Sequence, residues 1–286
     1  MTVRFLRSAE IIIASVSTGV GLTIKDLRIE FELTKDLFGF PNLVKIDIFN
    51  LKEESRNKIK TEFDSLLLNI GYGNKMSNVF TGQIRNAVHV KNGVDWVSTI
   101  YAGDGDKDFK TGFVSLSLES NTSTEDILTE VLSQLPNTIK GVFKGIGTDA
   151  QKGQGVSITG QLKEVLDQLS SEADCDWSIQ DGKLQFLGFG EVTDRKATVI
   201  SSNTGMMGSP TVTEKGVKVQ ALIVPELTPG QTIEIRSLGN NVQFGNMFFT
   251  NPPVTVGAGF WKVVKIVMKG STHANDWVMN INGRKF

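Results

Sequence analysis

Residues 65–105 constrain the fold more than any other part of the chain, because their pattern predicts three consecutive antiparallel strands. Asn92 and Gly93 lie between two runs of alternating apolar residues. This dipeptide favours a two-residue hairpin turn of type I′, in which both central residues have positive φ. Such a turn sets the register of the hairpin and places His89 opposite Trp96.

The alternation of side chains divides this predicted meander into two faces. One face carries apolar and aromatic residues: Phe80, Ile84, Val88, Val97 and Tyr101. The other face is mixed: Arg85, Ala87, His89, Trp96, Ser98 and Ile100. A sheet with one face in water usually alternates more cleanly, so we expect another domain or subunit to cover part of the mixed face.

Length and composition limit what this meander can belong to. A chain of 286 residues exceeds the usual size of one domain and predicts two or three. Lys plus Arg (30) nearly equals Asp plus Glu (31), which argues against general attraction to polyanions. The single cysteine, Cys175, excludes an intramolecular disulfide and a zinc site built from several thiolates.

No membrane insertion is expected, because no apolar stretch approaches the roughly 20 residues that span a bilayer. The apolar run at 11–16 follows Glu10 and lacks an extended hydrophobic region with a cleavage site. We interpret it as a strand and not as a signal peptide.

Residues 1–118 are predicted to form a strand-rich unit with one helix. Besides the meander, strands are predicted at 27–33, 43–49 and 111–118. Asn50 offers an N-cap to a helix whose early Glu53 and Glu54 suit the helix dipole. Many short strands with regular turns are typical of a small barrel or sandwich.

Residues 119–190 are predicted to form a small α+β domain. Thr122 and Glu125 match a capping box that begins the first of two amphipathic helices, and the second helix covers 161–172. Their apolar stripes are Ile127, Leu128, Val131, Leu132 and Leu135, then Leu162, Val165, Leu166 and Leu169. A hairpin that turns at Asp181 and Gly182 follows.

Residues 191–286 return to strands and predict a second β domain. The strands are expected at 216–224, 232–237, 260–269 and 276–282. Between them, Pro229 and Gly230 occupy the two central positions of a turn, where Pro fixes φ and Gly accepts a positive φ. The predicted fold class is therefore mainly β, with two β-barrel domains flanking an α+β insertion.

Several segments, in this order, resemble phage baseplate hub proteins. They are RIEFELTKDLFGFPNLVKIDIFNLKEESRNKI, VFTGQIRNAVHVKNGVDWVSTIYAGDGD, GVKVQALIVPELTPGQTIEIRS and FWKVVKIVMKGSTHANDWVMNINGRKF. The resemblance covers most of the chain and is weakest at 137–158 and 240–257. It implies two tube-like barrels, at 1–118 and 191–286, in a structural protein of the virion. The residues themselves predict no cofactor and no metal, because they contain neither a nucleotide-binding motif nor a cluster of metal ligands.

The resemblance also implies an assembly. Three copies would form a homotrimer with a nearly six-fold ring, which joins a hexameric tail tube to a trimeric spike in a contractile-tail phage or related injection system. The strand edges of 216–237 and 260–282 would then be intersubunit surfaces. Further implied partners are baseplate wedge proteins and viral DNA, which passes through the channel without sequence-specific binding. Such a baseplate is assembled in the bacterial host cytoplasm.

Catalysis is not expected from the residues themselves. His89 and His273 are the only histidines, and a nucleophile–histidine site would have to use one of them. We expect His89 to pack across the strands and His273 to lie in a polar turn beside Ser271, where neighbouring residues seldom align a hydroxyl with an imidazole. Asp174 and Asp176 should raise the pKa of Cys175 instead of activating the thiol.

We interpret two acidic clusters as solvated surface groups and not as functional sites. Asp104, Asp106 and Asp108 resemble the start of a calcium loop, but Phe109 stands where that loop needs glycine. We interpret this segment as a solvated turn. A second cluster is expected on an exposed helix surface and not as a glycosidase pair; it comprises Glu53, Glu54, Glu62 and Asp64.

The alternative function is a β-rich carbohydrate-binding or cell-wall-active module. Exposed tryptophans would supply its stacking platforms. The four tryptophans are spread over all three predicted domains, which argues against a single sugar cleft: Trp96, Trp177, Trp261 and Trp277.

Overall fold

A computed structural model of the chain describes residues 6–146, 155–193, 196–213, 216–237, 243–244 and 258–285. The described strands form one large sheet and two small sheets, so the predicted mainly β fold is confirmed. No described helix combines the length and apolar character needed to cross a membrane.

The first part of the chain supplies one half of the large sheet. Its strands are β1 (Arg7–Ala14), β2 (Gly21–Ile24), β3 (Ile29–Asp36), β4 (Leu43–Phe49), β5 (Ser65–Tyr72), β6 (Lys75–Asn92) and β7 (Asp95–Gly103). Helix α1 (Glu53–Thr61) follows β4. Strands β5, β6 and β7 pair antiparallel in sequence order, which confirms the predicted meander.

The middle part carries the helices and the two small sheets. Its elements are α2 (Asp106–Thr111), β8 (Phe113–Leu118), α3 (Thr124–Ser133), β9 (Ile139–Lys144), β10 (Val156–Gln161), α4 (Leu162–Glu172), β11 (Cys175–Gln180) and β12 (Lys183–Gly188). Strand β8 pairs with β10, and the other small sheet has the order β11-β12-β9. The apolar stripes of α3 and α4 pack with Trp177 and Phe186 in a separate core.

The last part completes the large sheet. Its elements are β13 (Thr198–Ser201), a 3₁₀ turn (Ser202–Thr204), β14 (Met206–Thr213), β15 (Gly216–Leu222), β16 (Thr232–Arg236), β17 (Gln243–Phe244), β18 (Gly259–Ser271) and β19 (Trp277–Arg284). Strand β18 pairs antiparallel with β3, from Lys265 opposite Asp36 to Ser271 opposite Glu30. The two ends of the chain therefore meet in one sheet.

Both halves of the large sheet also share one apolar core. Trp277 of β19 is buried and meets Phe31 of β3 edge to face, with ring centroids 5.6 Å apart. The Tyr72 hydroxyl donates to the Ile223 carbonyl oxygen at 2.9 Å. In the described ranges the strands follow an open path from β17 to β2, and two separate closed barrels are not found.

The expected open edges are not open. Strand β15 lies between β14 and β19, and β16 lies between β13 and β18. Strand β18 has β19 on one side and β3 on the other. The expectation that these strands have open edges is wrong, because other strands of the same chain already pair with them. Their role as intersubunit surfaces stays a prediction.

The turn of the long hairpin lies one residue later than predicted. Asn92 pairs with Asp95, which leaves Gly93 and Val94 as the turn residues. Gly93 has φ of 61°, and a Gly at the first central position followed by an ordinary residue is typical of a type II′ turn. His89 consequently lies opposite Ser98 instead of Trp96, with Nδ1 2.9 Å from the serine Oγ.

The burial of the two faces of the meander also differs from the prediction. Ser98 and Ile100, from the mixed face, are buried. Val88 and Tyr101, from the apolar face, remain 42% and 41% exposed. The core of this chain thus covers Ser98 and Ile100, whereas Arg85 remains exposed and Trp96 is only partly buried. That another domain or subunit covers part of the mixed face stays a prediction.

Two helix starts differ from the prediction. Asn50 has φ of 58° and does not cap α1; its side chain accepts from the Trp96 N–H at 3.0 Å and donates to Asp95 at 2.8 Å. The capping box of α3 uses Ser123 and Asp126, one residue after the predicted pair. Helix α4 begins at Leu162, as its stripe predicts.

Candidate junctions between the large sheet and the α+β part

The acidic segment Asp104, Asp106 and Asp108 is buried, which contradicts its interpretation as a solvated turn. The exposed fractions of these residues are 1%, 5% and 2%. The segment links β7 to α2, and its three carboxylates point to three different parts of the chain. Burial is tolerated because each carboxylate has hydrogen-bond donors around it.

Asp104 holds the tip of the β11–β12 hairpin. Its carboxylate accepts hydrogen bonds from the backbone N–H groups of Asp181 and Gly182, the latter at 2.8 Å. Both turn residues have positive φ, 54° and 77°. This conformation, which Asp and Gly tolerate, directs two successive N–H groups towards one anion.

The side chain of Asp181 makes a second link to the large sheet. Lys35 of β3 is fully buried, and its Nζ lies 2.8 and 3.0 Å from the two carboxylate oxygens of Asp181. The hairpin tip is therefore held through its backbone by Asp104 and through its side chain by Lys35. We call this group of residues, with Asn42 and Gln180, the Asp104 junction.

Two buried amides complete the Asp104 junction. Asn42 donates to the Ile179 carbonyl and to Gln180 Oε1, both at 2.9 Å, and to Asp104 at 3.2 Å. Gln180 donates in turn to the Asp36 carbonyl at 2.8 Å. These contacts satisfy polar groups on both sides and fix the orientation of the hairpin against the sheet.

The other two carboxylates of the acidic segment fasten α2. Asp106 forms ion pairs with Arg85 of β6 and with Lys110. Asp108 accepts from Asn137 Nδ2 at 2.8 Å and from the Thr138 hydroxyl at 2.6 Å, just before β9. In the part of the chain that the structure describes, no three metal-ligating side chains converge.

A second junction forms around Asp176 of β11. Lys262 of β18 is completely buried, and its Nζ lies 3.2 Å from the Asp176 carboxylate. Arg284 of β19 contacts the same carboxylate. Burial lowers the pKa of Lys262 and Asp176 opposes that effect. We call these three residues the Asp176 junction.

The loop between β3 and β4 packs directly on the middle part. The Gly39 N–H donates to the Trp177 carbonyl at 2.8 Å. Gly39 has φ of 65°, and a Cβ atom there would lie 2.8 Å from the indole ring of Trp177. Glycine is required at this position by both the backbone conformation and the close approach.

The titration of Asp104 is perturbed by its position. Burial, followed by repulsion from Asp181, raises the pKa of Asp104 to about 7. Hydrogen bonds from the hairpin N–H groups and the charge of Lys35 act in the opposite direction.

Ser271 and His273, two of the catalytic candidates considered from the sequence, lie apart from these junctions. Ser271 Oγ accepts from the N–H groups of Ala274 and His273. His273 Nδ1 instead lies 2.8 Å from Thr272 Oγ1, which also accepts from the Ile29 N–H at 3.0 Å. The loop thus ties β18 to the start of β3 and does not align Ser271 with an imidazole.

Cys175 and the tryptophans likewise have packing roles. Burial, then Asp176 and Asp174, raises the pKa of the Cys175 thiol to about 12, in the predicted direction. Trp177, Trp261 and Trp277 are buried. Trp96 is partly buried under the guanidinium of Arg56, 4.0 Å from the ring centroid. Buried rings cannot stack on a sugar, which weakens the carbohydrate-binding alternative.

The sequence did not identify Lys35, Asn42 or Gln180. One signal in the sequence was available. Asp104, Asp106 and Asp108 follow directly after the apolar strand β7, and carboxylates so close to a buried strand are less typical of a solvated turn. The other half of the junction lies more than 60 residues away from Asp104 in either direction, so no local pattern connects them.

The described fold, with its two β halves around an α+β part, is that of phage tail and type VI secretion proteins. A tail protein from Neisseria meningitidis MC58 superposes with a TM-score of 0.64 at 9% identity, covering 98% of this chain and 97% of that one. The 43 kDa tail protein of prophage MuSo2 from Shewanella oneidensis gives 0.60 at 10% identity, covering 96% and 98%.

The E. coli c3393 protein superposes with a TM-score of 0.61 at 10% identity, covering 91% of this chain and 74% of that one. It is a type VI secretion component with structural similarity to the T4 bacteriophage tail proteins gp27 and gp5. Curated protein sequences give no match. The family model of the baseplate hub gp41 matches residues 12–251. The chain therefore belongs to the baseplate hub gp41 family.

Proposed function

We propose that this protein is the structural hub that joins a tail tube to a spike. In this proposal three copies form a ring with three-fold symmetry by chain and nearly six-fold symmetry by shape. One face meets the hexameric tube and the other meets the trimeric spike. The two tube-like units were predicted at 1–118 and 191–286, with the α+β part between them. Because β8 (Phe113–Leu118) pairs with β10, we now propose that the first unit ends at residue 112 and that β8 belongs to the α+β part.

The observation that supports this proposal is the continuity between β18 and β3. A hub that presents six units from three chains needs the two units of each chain at a fixed distance and angle. Antiparallel pairing of β18 with β3, a shared core and the buried Trp277 provide such a connection. A flexible linker between the units would not hold that geometry.

The two junctions supply a fixed position for the α+β part. Asp104 and Lys35 bind the hairpin tip to the first half of the sheet, while Lys262 and Arg284 bind Asp176 to the second half. Buried polar contacts of this kind favour one orientation over others, even where they add little net stability. We infer that the α+β part is a fixed platform for neighbouring baseplate proteins.

The proposed work is assembly and not turnover. Two observations support a protein without catalytic activity: its membership of a baseplate hub family, and the burial of Ser271, whose Oγ accepts backbone N–H groups and is not aligned with an imidazole. Viral DNA would pass through the ring without sequence-specific binding, and wedge proteins would attach outside it.

The test is the copy number and symmetry of this chain in assembled particles by cryo-electron microscopy. We expect three copies per tail, each contributing two β units to one ring between tube and spike. Six copies per tail, or a position away from the tube axis, would contradict the proposal. A specific hydrolytic activity lost on substitution of His273 would contradict the non-catalytic part.

A further inference from the structure

The sequence contains two Asn-Gly dipeptides, and the fold places them in opposite environments. Asn92 is the last residue of β6, and Gly93 begins the two-residue turn to β7. Asn282 and Gly283 lie within β19, which pairs with β15 on one side and with β18 on the other. The same two residues therefore lie at an exposed hairpin tip in one place and between two strands in the other.

An asparagine that precedes glycine can lose its side-chain amide without an enzyme. The main-chain nitrogen of the glycine bonds to the asparagine Cγ atom and closes a five-membered succinimide ring. The bond between Cγ and Nδ2 breaks, and Nδ2 leaves as ammonia with the proton of the glycine N–H. Water then opens the ring: cleavage at Cγ gives aspartate, and cleavage at the main-chain carbonyl carbon gives isoaspartate. Glycine favours the attack because it has no Cβ atom and has a flexible backbone.

The surroundings of Gly93 leave this attack unhindered. Asn92, Gly93 and Val94 are exposed, and Val94 is 93% exposed. Among the described residues, no acceptor takes a hydrogen bond from the Gly93 N–H. Apart from its two chain neighbours, no heavy atom lies within 4 Å of the position that a Cβ atom of Gly93 would take. The attacking nitrogen is therefore neither hydrogen-bonded nor covered.

The surroundings of Gly283 prevent the same attack. Gly283 is buried and lies opposite Val217 of β15 and Val263 of β18. A Cβ atom at Gly283 would lie 2.9 Å from the Cβ atom of Trp261, so the main chain has no room to turn there. Ring closure requires the asparagine to leave its extended conformation. At Asn282 the pairing on both sides of β19 must therefore open first.

We propose that Asn92 is a site of spontaneous deamidation and that Asn282 is not, so that the tip of the long hairpin gains negative charge as the chain ages. At the tip only the terminal pair of Asn92 with Asp95 must open, and the ends of elements open at almost no cost in free energy. The new carboxylate lies opposite Asp95, where like charges weaken the pair. Isoaspartate also lengthens the main chain beside the turn.

The experiment follows both dipeptides in the full chain by peptide mapping with mass spectrometry during incubation at pH 8. Loss of the amide raises the mass of a peptide by about 1 Da, and fragmentation distinguishes aspartate from isoaspartate. Since a central strand opens only near global unfolding, we expect Asn92 to react at least about a thousandfold faster than Asn282. In urea, where the chain is unfolded, the two rates should become similar because both asparagines precede glycine.

Two matched variants assign the reaction. Asn92→Gln disfavours ring closure and should abolish the mass change of the hairpin-tip peptide, whereas Asn282→Gln should leave the reaction of Asn92 unchanged. The comparison within the wild-type chain requires neither variant. An Asn92 that keeps its amide in the folded chain but reacts in urea would overturn the proposal, as would similar rates for Asn92 and Asn282 in the folded chain. A mass change of the same peptide that persists in Asn92→Gln has the same consequence.

Discussion

Replacement of Asp176 by Ala tests whether the Asp176 junction holds a truly buried charge. The substitution leaves the ammonium of Lys262, which is 0% exposed, without its counter-ion. Removal of one partner of a buried ion pair costs about 3–5 kcal/mol. Since Asp176 is 15% and Arg284 24% exposed, the guanidinium can remain solvated, and we expect the lower end, about 3 kcal/mol.

The assay is urea unfolding at pH 7, followed by tryptophan fluorescence, because Trp177 and Trp261 lie on the strands that carry the junction. The decisive comparison is the double variant Asp176→Ala with Lys262→Met. Because Lys262→Met removes the buried ammonium that Asp176→Ala leaves unpaired, the double variant should recover most of the lost free energy of unfolding. A double variant as unstable as Asp176→Ala would refute the reasoning, as would a loss below about 1 kcal/mol for the single variant.

The pH dependence of Asp176→Ala provides an independent check. Burial lowers the pKa of Lys262 in the folded protein, and loss of Asp176 removes the main opposing charge. The unfolded chain then binds more protons, so the stability of the variant should rise with pH up to the ordinary lysine pKa near 10.4. A matched control is Glu32→Ala, which breaks the half-exposed pair with Lys269 and should cost less than about 1 kcal/mol without this recovery.

Three further substitutions test local geometry through the midpoint of thermal or urea unfolding. Gly39→Ala combines positive φ with a clash against Trp177 and should cost about 2–4 kcal/mol, and a neutral effect would show that the loop does not pack as described. Gly93→Val should cost about 1–3 kcal/mol, because Val is strained at φ of 61°, whereas Val94→Thr at the neighbouring turn position should be close to neutral. Ser123→Ala removes the cap of α3 and should cost about 1 kcal/mol; the same loss from Thr122→Ala would favour the capping box predicted from sequence.

Local patterns determined the elements whose contacts lie close in sequence. The strand at 43–49 coincides with β4, and the stripe from Leu162 to Leu169 marks the buried side of α4. Alternation and helical spacing report directly on the residues that carry them, so these elements follow from sequence alone. The order of the strands along the chain also indicates a resemblance to baseplate hubs, which the family match over residues 12–251 confirms.

The tertiary structure alone decided what those elements face. Strand β3 meets β18 more than 200 residues later in the chain, and this pairing closes an edge that the sequence left open. The carboxylate of Asp104 is buried against the hairpin tip at Asp181 and against Asn42, both of which donate N–H groups to it. Local pattern specifies which residues can share a face, whereas burial and ionisation depend on partners that only the folded chain brings together.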